Sequence, residues 1–301
     1  MAGWTLLSNE LYNNDSFIRF FVERKLMFNL SAEKIAMLNE FGEAEAFASW
    51  YHWAPPEFVK QFKVEVKRIG SVVVIAIPDF GLMLNRIIGL GVGVPATEMM
   101  LDDAVAVLQQ AGCKQYVVQI SPSAEPVQLI DWLHTRGFTT NLNFAKLLRA
   151  SQPIPPMPTG FRVESIGNEN AAVFTDVVMA AYKMPLELRP LIHCVVGKPG
   201  WHPYVGFDGE QPVSAAVLFV SGEIGWFGFA CTVETHRKRG GQAALSVRRI
   251  QDGLALGCKW FITETAEGTP EKPNSSFNNM LRSGFNLASL CPIYIYQPPT
   301  K

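Results

Sequence analysis

The chain has 301 residues, 48% of them hydrophobic and 18% charged, and 26 Lys and Arg nearly balance 27 Asp and Glu for a formal net charge of −1. That length allows about two domains, each able to bury its own core, and the composition belongs to a folded protein rather than a disordered one. A near-neutral total gives the chain as a whole no electrostatic basis for binding nucleic acid or a membrane surface.

Cys113, Cys194, Cys231, Cys258 and Cys291 are scattered, odd in number and free of any C-x-x-C pair. They read as reduced thiols in a cytoplasmic protein, not as a disulfide framework. Residues 1–14 carry acid and amide side chains where a signal peptide needs an apolar core. Apolar runs such as 72–78 are too short to span a bilayer. No set of ligands has metal-binding spacing, so no metal is expected.

Taken in chain order, the apolar spacing predicts helices over about 15–28 and 31–50, and strands over 61–69, 71–77 and 85–92. A helix over 97–111, a strand over 116–120 and an amphipathic helix ending at Gly137-Phe138 follow. The loop Gly89-Leu90-Gly91-Val92-Gly93 lacks the spacing of a dinucleotide fingerprint, and no acid follows at the place such a site requires. Residues 151–160 then hold four prolines in ten residues. Proline fixes φ and lacks an N–H, so this stretch reads as a stiff connection between domains at 1–150 and 161–301. The second half opens with a strand at 161–165 and helices within 168–196, then strands at 204–207, 213–220 and 224–233. A helix over 242–256, a strand over 259–264, a helix over 275–283 and a last strand over 292–296 complete it.

The halves share an order. Gly112-Cys113-Lys114 and Gly257-Cys258-Lys259 each follow a helix and precede an apolar strand, and each unit ends in an amphipathic helix closed by Gly-Phe. An internal duplication accounts for this. Matching the two triplets places 92–96 opposite 237–241. All positive charge is missing from the first copy, and Pro95 removes an amide. Residues 1–150 are therefore expected to form a degenerate copy that binds no cofactor.

In the second copy Arg237-Lys238-Arg239-Gly240-Gly241-Gln242-Ala243 stands where a strand hands over to a helix. Unpaired amides and the positive end of the helix dipole point at such a turn, which suits a phosphate or pyrophosphate. The G-x-x-x-x-G-K-[ST] loop of nucleoside-triphosphate sites is absent. The pattern R-x-x-G-x-[G/A], with Gln242 in the last place, resembles the GCN5-related N-acetyltransferase (GNAT) family. A second resemblance lies in Asn274-Ser275-Ser276-Phe277 through Gly284-Phe285, which is similar to the family's segment after its fifth strand.

The resemblance implies an α/β (α+β) fold of two GNAT-like domains, each a mixed, mostly antiparallel central sheet flanked by helices. It implies acetyl-CoA as co-substrate, held by the second half alone. Its pyrophosphate would lie on the turn from Arg237 to Ala243 and its pantetheine arm along the backbone of Cys231, Thr232 and Val233. Asn274 and Asn279 would be further contacts. The activity implied is transfer of the acetyl group to a small-molecule or peptide amine by direct attack, which needs a base for the amine proton. Glu234, just past the fourth strand of this half, is the nearest carboxylate, and Glu264 on the fifth is the other. Relatives protonate the leaving thiolate with a Tyr on the helix before Gly-Phe. Phe277 and Met280 stand there instead, so Tyr294 or Tyr296 is expected to replace it, or water does.

Cys231 reads as a packed strand cysteine, His236 as exposed, and His193 and His202 as structural. A non-catalytic acyl-CoA sensor is the alternative reading. Nucleic-acid binding through Arg237, Lys238, Arg239, Arg248 and Arg249 is the weakest, and no nucleic-acid or membrane partner is expected.

Overall fold

The computed structural model describes residues 28–157, 160–269 and 272–298. The helix expected at 15–28 lies outside these residues but for Phe28. Helix α1 (Ala32–His52) starts at Ser31, whose side chain accepts the Lys34 N–H at 3.1 Å. Helix α2 (Pro56–Phe62) opens on a proline already set at helical φ, so the expected strand at 61–69 begins only at β1 (Glu65–Ile69). Strands β2 (Val72–Ala76) and β3 (Arg86–Ile88), helix α3 (Glu98–Ala111), strand β4 (Tyr116–Gln119), helix α4 (Leu129–Thr135) and strand β5 (Thr139–Ala150) follow.

The second half repeats the order. It runs β6 (Arg162–Ser165), α5 (Ala171–Tyr182), α6 (Arg189–His193), β7 (Trp201–Asp208), β8 (Gln211–Ser221) and β9 (Ile224–Thr232). It closes with α7 (Gly241–Ala255), β10 (Trp260–Ala266), α8 (Ser275–Arg282) and β11 (Asn286–Tyr296).

The eleven strands among the described residues join one sheet in the order β1-β2-β3-β4-β11-β5-β10-β9-β8-β7-β6. Pairing is antiparallel except at β3–β4 and β9–β10, which are parallel. The centre of the sheet is an exchange. The last strand of the first half, β5, pairs with β10 of the second. The last strand of the second half, β11, returns to lie between β4 and β5.

Helix α1 crosses the junction on one face. A Cβ at Gly42 would stand 2.5 Å from Ile262 on β10 and 3.1 Å from Ile224 on β9, so a helix of the first half lies directly on strands of the second. Trp50 of α1 donates its indole N–H to the Leu191 carbonyl on α6 at 2.7 Å. The core on this face is continuous across both halves, from Val73 and Ile75 through Leu148 to Trp226 and Val217. The opposite face has separate cores, one beneath α3 and α4 and one beneath α7 and α8.

The proline-rich stretch is held from within the fold. Arg149, fully buried on β5, donates to the carbonyls of Ala150 (2.7 Å), Gln152 (2.5 Å) and Pro153 (3.0 Å), and across to Ser283 at the end of α8 (3.1 Å).

Candidate active site

The sheet comes apart where its strands run parallel. The β9–β10 ladder holds Ile224, Gly225 and Trp226 against Trp260, Phe261 and Ile262, and ends there. Thr263 Oγ1 still donates to the Phe227 carbonyl at 3.0 Å, marking the base of a fork. Beyond it β9 carries a bulge: Val217 faces Gly228 but Ala215 faces Cys231, so one extra residue is accommodated on β9. Phe229 takes a left-handed φ of 51° there, a strained state for an aromatic residue. It is held among rings, with Trp50 centred 4.6 Å away and Trp201 stacked at 6.2 Å. The Ala230 carbonyl accepts a hydrogen bond from the Tyr182 hydroxyl at 3.1 Å, at the end of α5.

The basic turn follows. Residues Glu234–His236 form one 3-10 turn, Lys238 has φ 64°, and Gly240 caps α7 at φ 89° with no side-chain cap. The first bond of α7 runs from the Ala244 N–H to the Gly240 carbonyl at 3.0 Å, so the amides of Gly241, Gln242 and Ala243 have no acceptor within the helix. A Cβ at Gly241 would stand 2.9 Å from Phe161, so the helix start sits close on the sheet. Asp208, at the end of β7, braces the turn by pairing with Arg239 at 2.8 Å and His236 at 3.5 Å. Arg237 Nε donates to the Thr232 carbonyl at 3.3 Å, and Gln242 Nε2 to Thr232 Oγ1 at 3.3 Å.

The expected contacts are therefore brought together unequally. The Val233 N–H is committed to the Val213 carbonyl at 2.9 Å. By the alternation of an antiparallel ladder, Thr232 is the residue of the three whose backbone groups point away from β8 towards the fork, and Cys231 and Val233 point theirs to β8. The Cys231 side chain is buried, which pushes its thiol up to about 12, as expected of a packed cysteine. Asn274 is the N-cap of α8: its Oδ1 accepts from Ser276 (2.9 Å) and Phe277 (3.3 Å), and its Nδ2 donates to the Ala266 carbonyl (2.8 Å). It shapes the loop after β10. Asn279, one turn into α8, pairs with Arg282.

Several expectations need correcting. Tyr294 and Tyr296 stand on β11 against Val118 and Tyr116 of β4, with β5 and β10 between them and β9. Tyr296 stacks on Tyr116 at 4.8 Å, so both phenols belong to the first half's core and do not reach the fork. The exchange of last strands put them there.

Glu264 is locked between Arg86 (2.9 Å) and Lys146 (2.7 Å). Burial alone would raise its pKa, but these two cations overcome it and hold the carboxyl well below the usual range, so it is no base at neutral pH. His236 is not exposed; its side chain is 13% accessible and faces Asp208. Arg249 is fully buried and Arg248 pairs with Asp252 at 2.9 Å, which removes both from any free basic surface. Glu234 is exposed and pairs with Lys183 at 3.2 Å. His193 bonds Thr175 at 3.2 Å, in keeping with a structural role.

Tyr182 and Asp208, which contact β9 and the basic turn, were not singled out in the sequence, and Arg249 was singled out only as part of a basic surface. Each meets β9 or its turn through tertiary contact, which the local sequence does not reveal.

The matching fork in the first half differs. The β3–β4 ladder likewise stops after Ile87 and Val118. The loops beyond it are bonded to each other, Ala96 N–H to Glu125 O at 2.7 Å and Glu125 N–H to Gly91 O at 2.8 Å. Among the described residues no cluster of His, Cys, Asp or Glu could hold a metal, and no helix is long and apolar enough to cross a membrane.

No protein-family model and no curated protein matches the chain. Solved structures do. A GCN5-related N-acetyltransferase from Kribbella flavida aligns at TM-score 0.57 and 15% identity, over 84% of this chain and 96% of that one. Another, from Sphaerobacter thermophilus, aligns at 0.53 and 13%, over 76% and 82%. A tandem GNAT protein from the clavulanic acid biosynthesis pathway aligns at 0.53 and 13%, over 85% and 96%. The chain has the fold of the GCN5-related N-acetyltransferases, and the resemblance read from the basic turn holds at the level of fold.

Proposed function

We propose that this protein is an N-acetyltransferase that binds one acetyl-CoA per chain, in the fork between β9 and β10, and passes the acetyl group directly to an amine. One observation carries the reading: a strand that forks and bulges leads straight into a basic turn whose helix start has three amides without acceptors among the described residues. The amides of Gly241, Gln242 and Ala243 fit a pyrophosphate, with Arg237 and Lys238 exposed beside them. Thr232 offers its backbone N–H to the pantetheine arm. Tyr182, bonded to the bulge, takes the place expected of Tyr294 or Tyr296 as proton donor to the leaving thiolate. The side chain as a whole is exposed, yet local packing around the hydroxyl, with the neighbouring Cys231, raises its pKa and keeps it protonated.

Glu234 stands at the mouth of the fork and can pass the amine proton to water. In the first half the loop-to-loop bonds occupy the corresponding opening, which supports a copy without cofactor. The amine, of a small molecule or a peptide, would come from the cytoplasm.

The test is calorimetric titration of acetyl-CoA, with thiol release across a panel of primary amines, on wild type and Gly240→Pro. Proline cannot take φ 89°. Displacing charge-assisted amide bonds should weaken binding about tenfold or more. Equal binding and turnover in the two proteins would overturn the assigned site. Binding without thiol release from any amine would favour the sensor reading.

A further inference from the structure

Arg249 is a buried cation whose charge no carboxylate among the described residues balances. It lies on α7 facing the sheet and is fully buried. Its Nε donates to the Leu245 carbonyl one turn back and its Nη1 to the Val217 carbonyl on β8, each at 3.2 Å, while Nη2 has no partner. The guanidinium lies 3.9 Å from the centre of the Phe227 ring on β9.

The other deeply buried cations are provided for. Arg86 and Lys146 face carboxylates, and Arg149 meets four carbonyls. The nearest acid in sequence, Asp252, is taken by Arg248 and Tyr204. The titratable groups that face Arg249 are Tyr204, Tyr182 and Cys231, all neutral at physiological pH. Burial lowers its pKa to about 9, which leaves it charged at pH 7.

An unpaired charge in an apolar layer is costly to the fold. Such a cost persists where function uses the charge. The position says what the use is. Val217 faces Gly228, and Phe227 precedes it, so the cation sits behind the two residues from which the bulge at Phe229 and Ala230 departs.

We propose that Arg249 supplies the positive potential behind the bulged strand that polarises the thioester carbonyl and stabilises the oxyanion formed on it. This rests on the acetyl-CoA reading above. In the reaction the amine nitrogen bonds to the acetyl carbonyl carbon and the C=O pair moves onto oxygen. That pair returns as the C–S bond breaks, so acetyl-CoA and amine become acetamide and CoA thiol. The nitrogen loses a proton to water and the sulfur gains one. Arg249 exchanges neither atom nor proton and touches no reacting atom; it is a positioning residue acting by charge, at low dielectric where charge acts strongly.

The experiment uses acetyl-CoA labelled with carbon-13 at the acetyl carbonyl, bound to the full chain and read by isotope-edited infrared spectroscopy. In wild type the carbonyl stretch should fall in frequency on binding. Arg249→Gln, which keeps a donor but loses the charge, should lose about half of that shift or more, and Arg249→Lys should retain most of it. Melting temperatures of the free proteins separate this from a packing role. Arg249→Met should melt no lower than wild type, because it removes an uncompensated charge.

An equal carbonyl shift in wild type and Arg249→Gln overturns the proposal and leaves the cofactor reading standing. So does a shift lost in Arg249→Lys as fully as in Arg249→Gln, since a structural clamp needs the fork and a field needs only the charge. If wild type does not bind acetyl-CoA, the cofactor reading fails and this inference falls with it.

Discussion

At the scale of single residues, chemistry concentrates on two features. One is the bulge, whose Ala230 carbonyl is held by Tyr182. Tyr182→Phe removes that bond and the proposed donor while keeping the ring. Thiol release should fall about ten- to a hundredfold with the apparent KM for acetyl-CoA little changed, measured with an amine that wild type acetylates. A KM effect alone would mean that the hydroxyl only shapes the site. The other feature is the charge cluster beneath α1, where Glu43 meets Arg86 and Lys146 while Glu40 bonds Gln119. Burial, then the neighbouring Glu264, raises the Glu43 carboxyl from 4.5 to about 7. A folded-state pKa above the unfolded one means that the native state binds the extra proton. Glu43's contribution to stability is then complete below about 4.5 and lost as pH rises through about 7. Wild type should accordingly melt lower at pH 8 than at pH 5.5, and Glu43→Gln should flatten that slope in melts across the range. The basic turn was legible in the sequence because three cations beside two glycines are rare at a strand–helix junction. Tyr182 was not, because nothing within Ala180-Ala181-Tyr182-Lys183 says which strand its hydroxyl will meet.

At the scale of elements, the strands hardest to read were the two that exchange. β5 puts Lys146 and Arg149 at fully buried positions, which breaks the apolar alternation a strand is recognised by. β11 has an extra residue between Leu287 and Ser289, shifts register with β5 again between Ile293 and Tyr294, and contains Pro292, so no period of two runs through it. Misreading them had a consequence for function, since Tyr294 and Tyr296 travel on β11 into the first half. The exchange also predicts what the halves do alone. Without β11 the facing edges of β4 and β5 are unpaired, and without β5 so is the edge of β10. Residues 1–150 and 161–301 expressed separately should aggregate or stay unfolded by circular dichroism and size exclusion. Expressed together they should recover soluble complex. A soluble, folded half would show that the exchange is dispensable.

At the scale of the whole molecule, the repeated order of elements was visible as paired Gly-Cys-Lys triplets, but the sharing of one sheet was not. Local patterns specify strands and not their neighbours, and both exchanged pairings join residues far apart in sequence. The molecule combines two halves of similar element order with one proposed site. The sheet, α1 and the core of its face run through both halves, so neither can open without uncovering the other. Calorimetric unfolding should give a single transition whose van't Hoff and calorimetric enthalpies agree, where two independent domains would give two. Acetyl-CoA at a hundred times its Kd should raise that one transition as a unit, adding about 2.7 kcal/mol.

The place of β11 between β4 and β5 also sets a schedule for synthesis. Every other strand of the first half has left the ribosome by Ala150, yet the gap between β4 and β5 can be filled only by residues 286–296. Translation at roughly 5–20 residues per second leaves those two edges open for on the order of ten seconds or longer. Through that interval the nascent first half must be shielded from pairing with other chains, and a stop codon or ribosomal stall late in the message would undo the half that was made first.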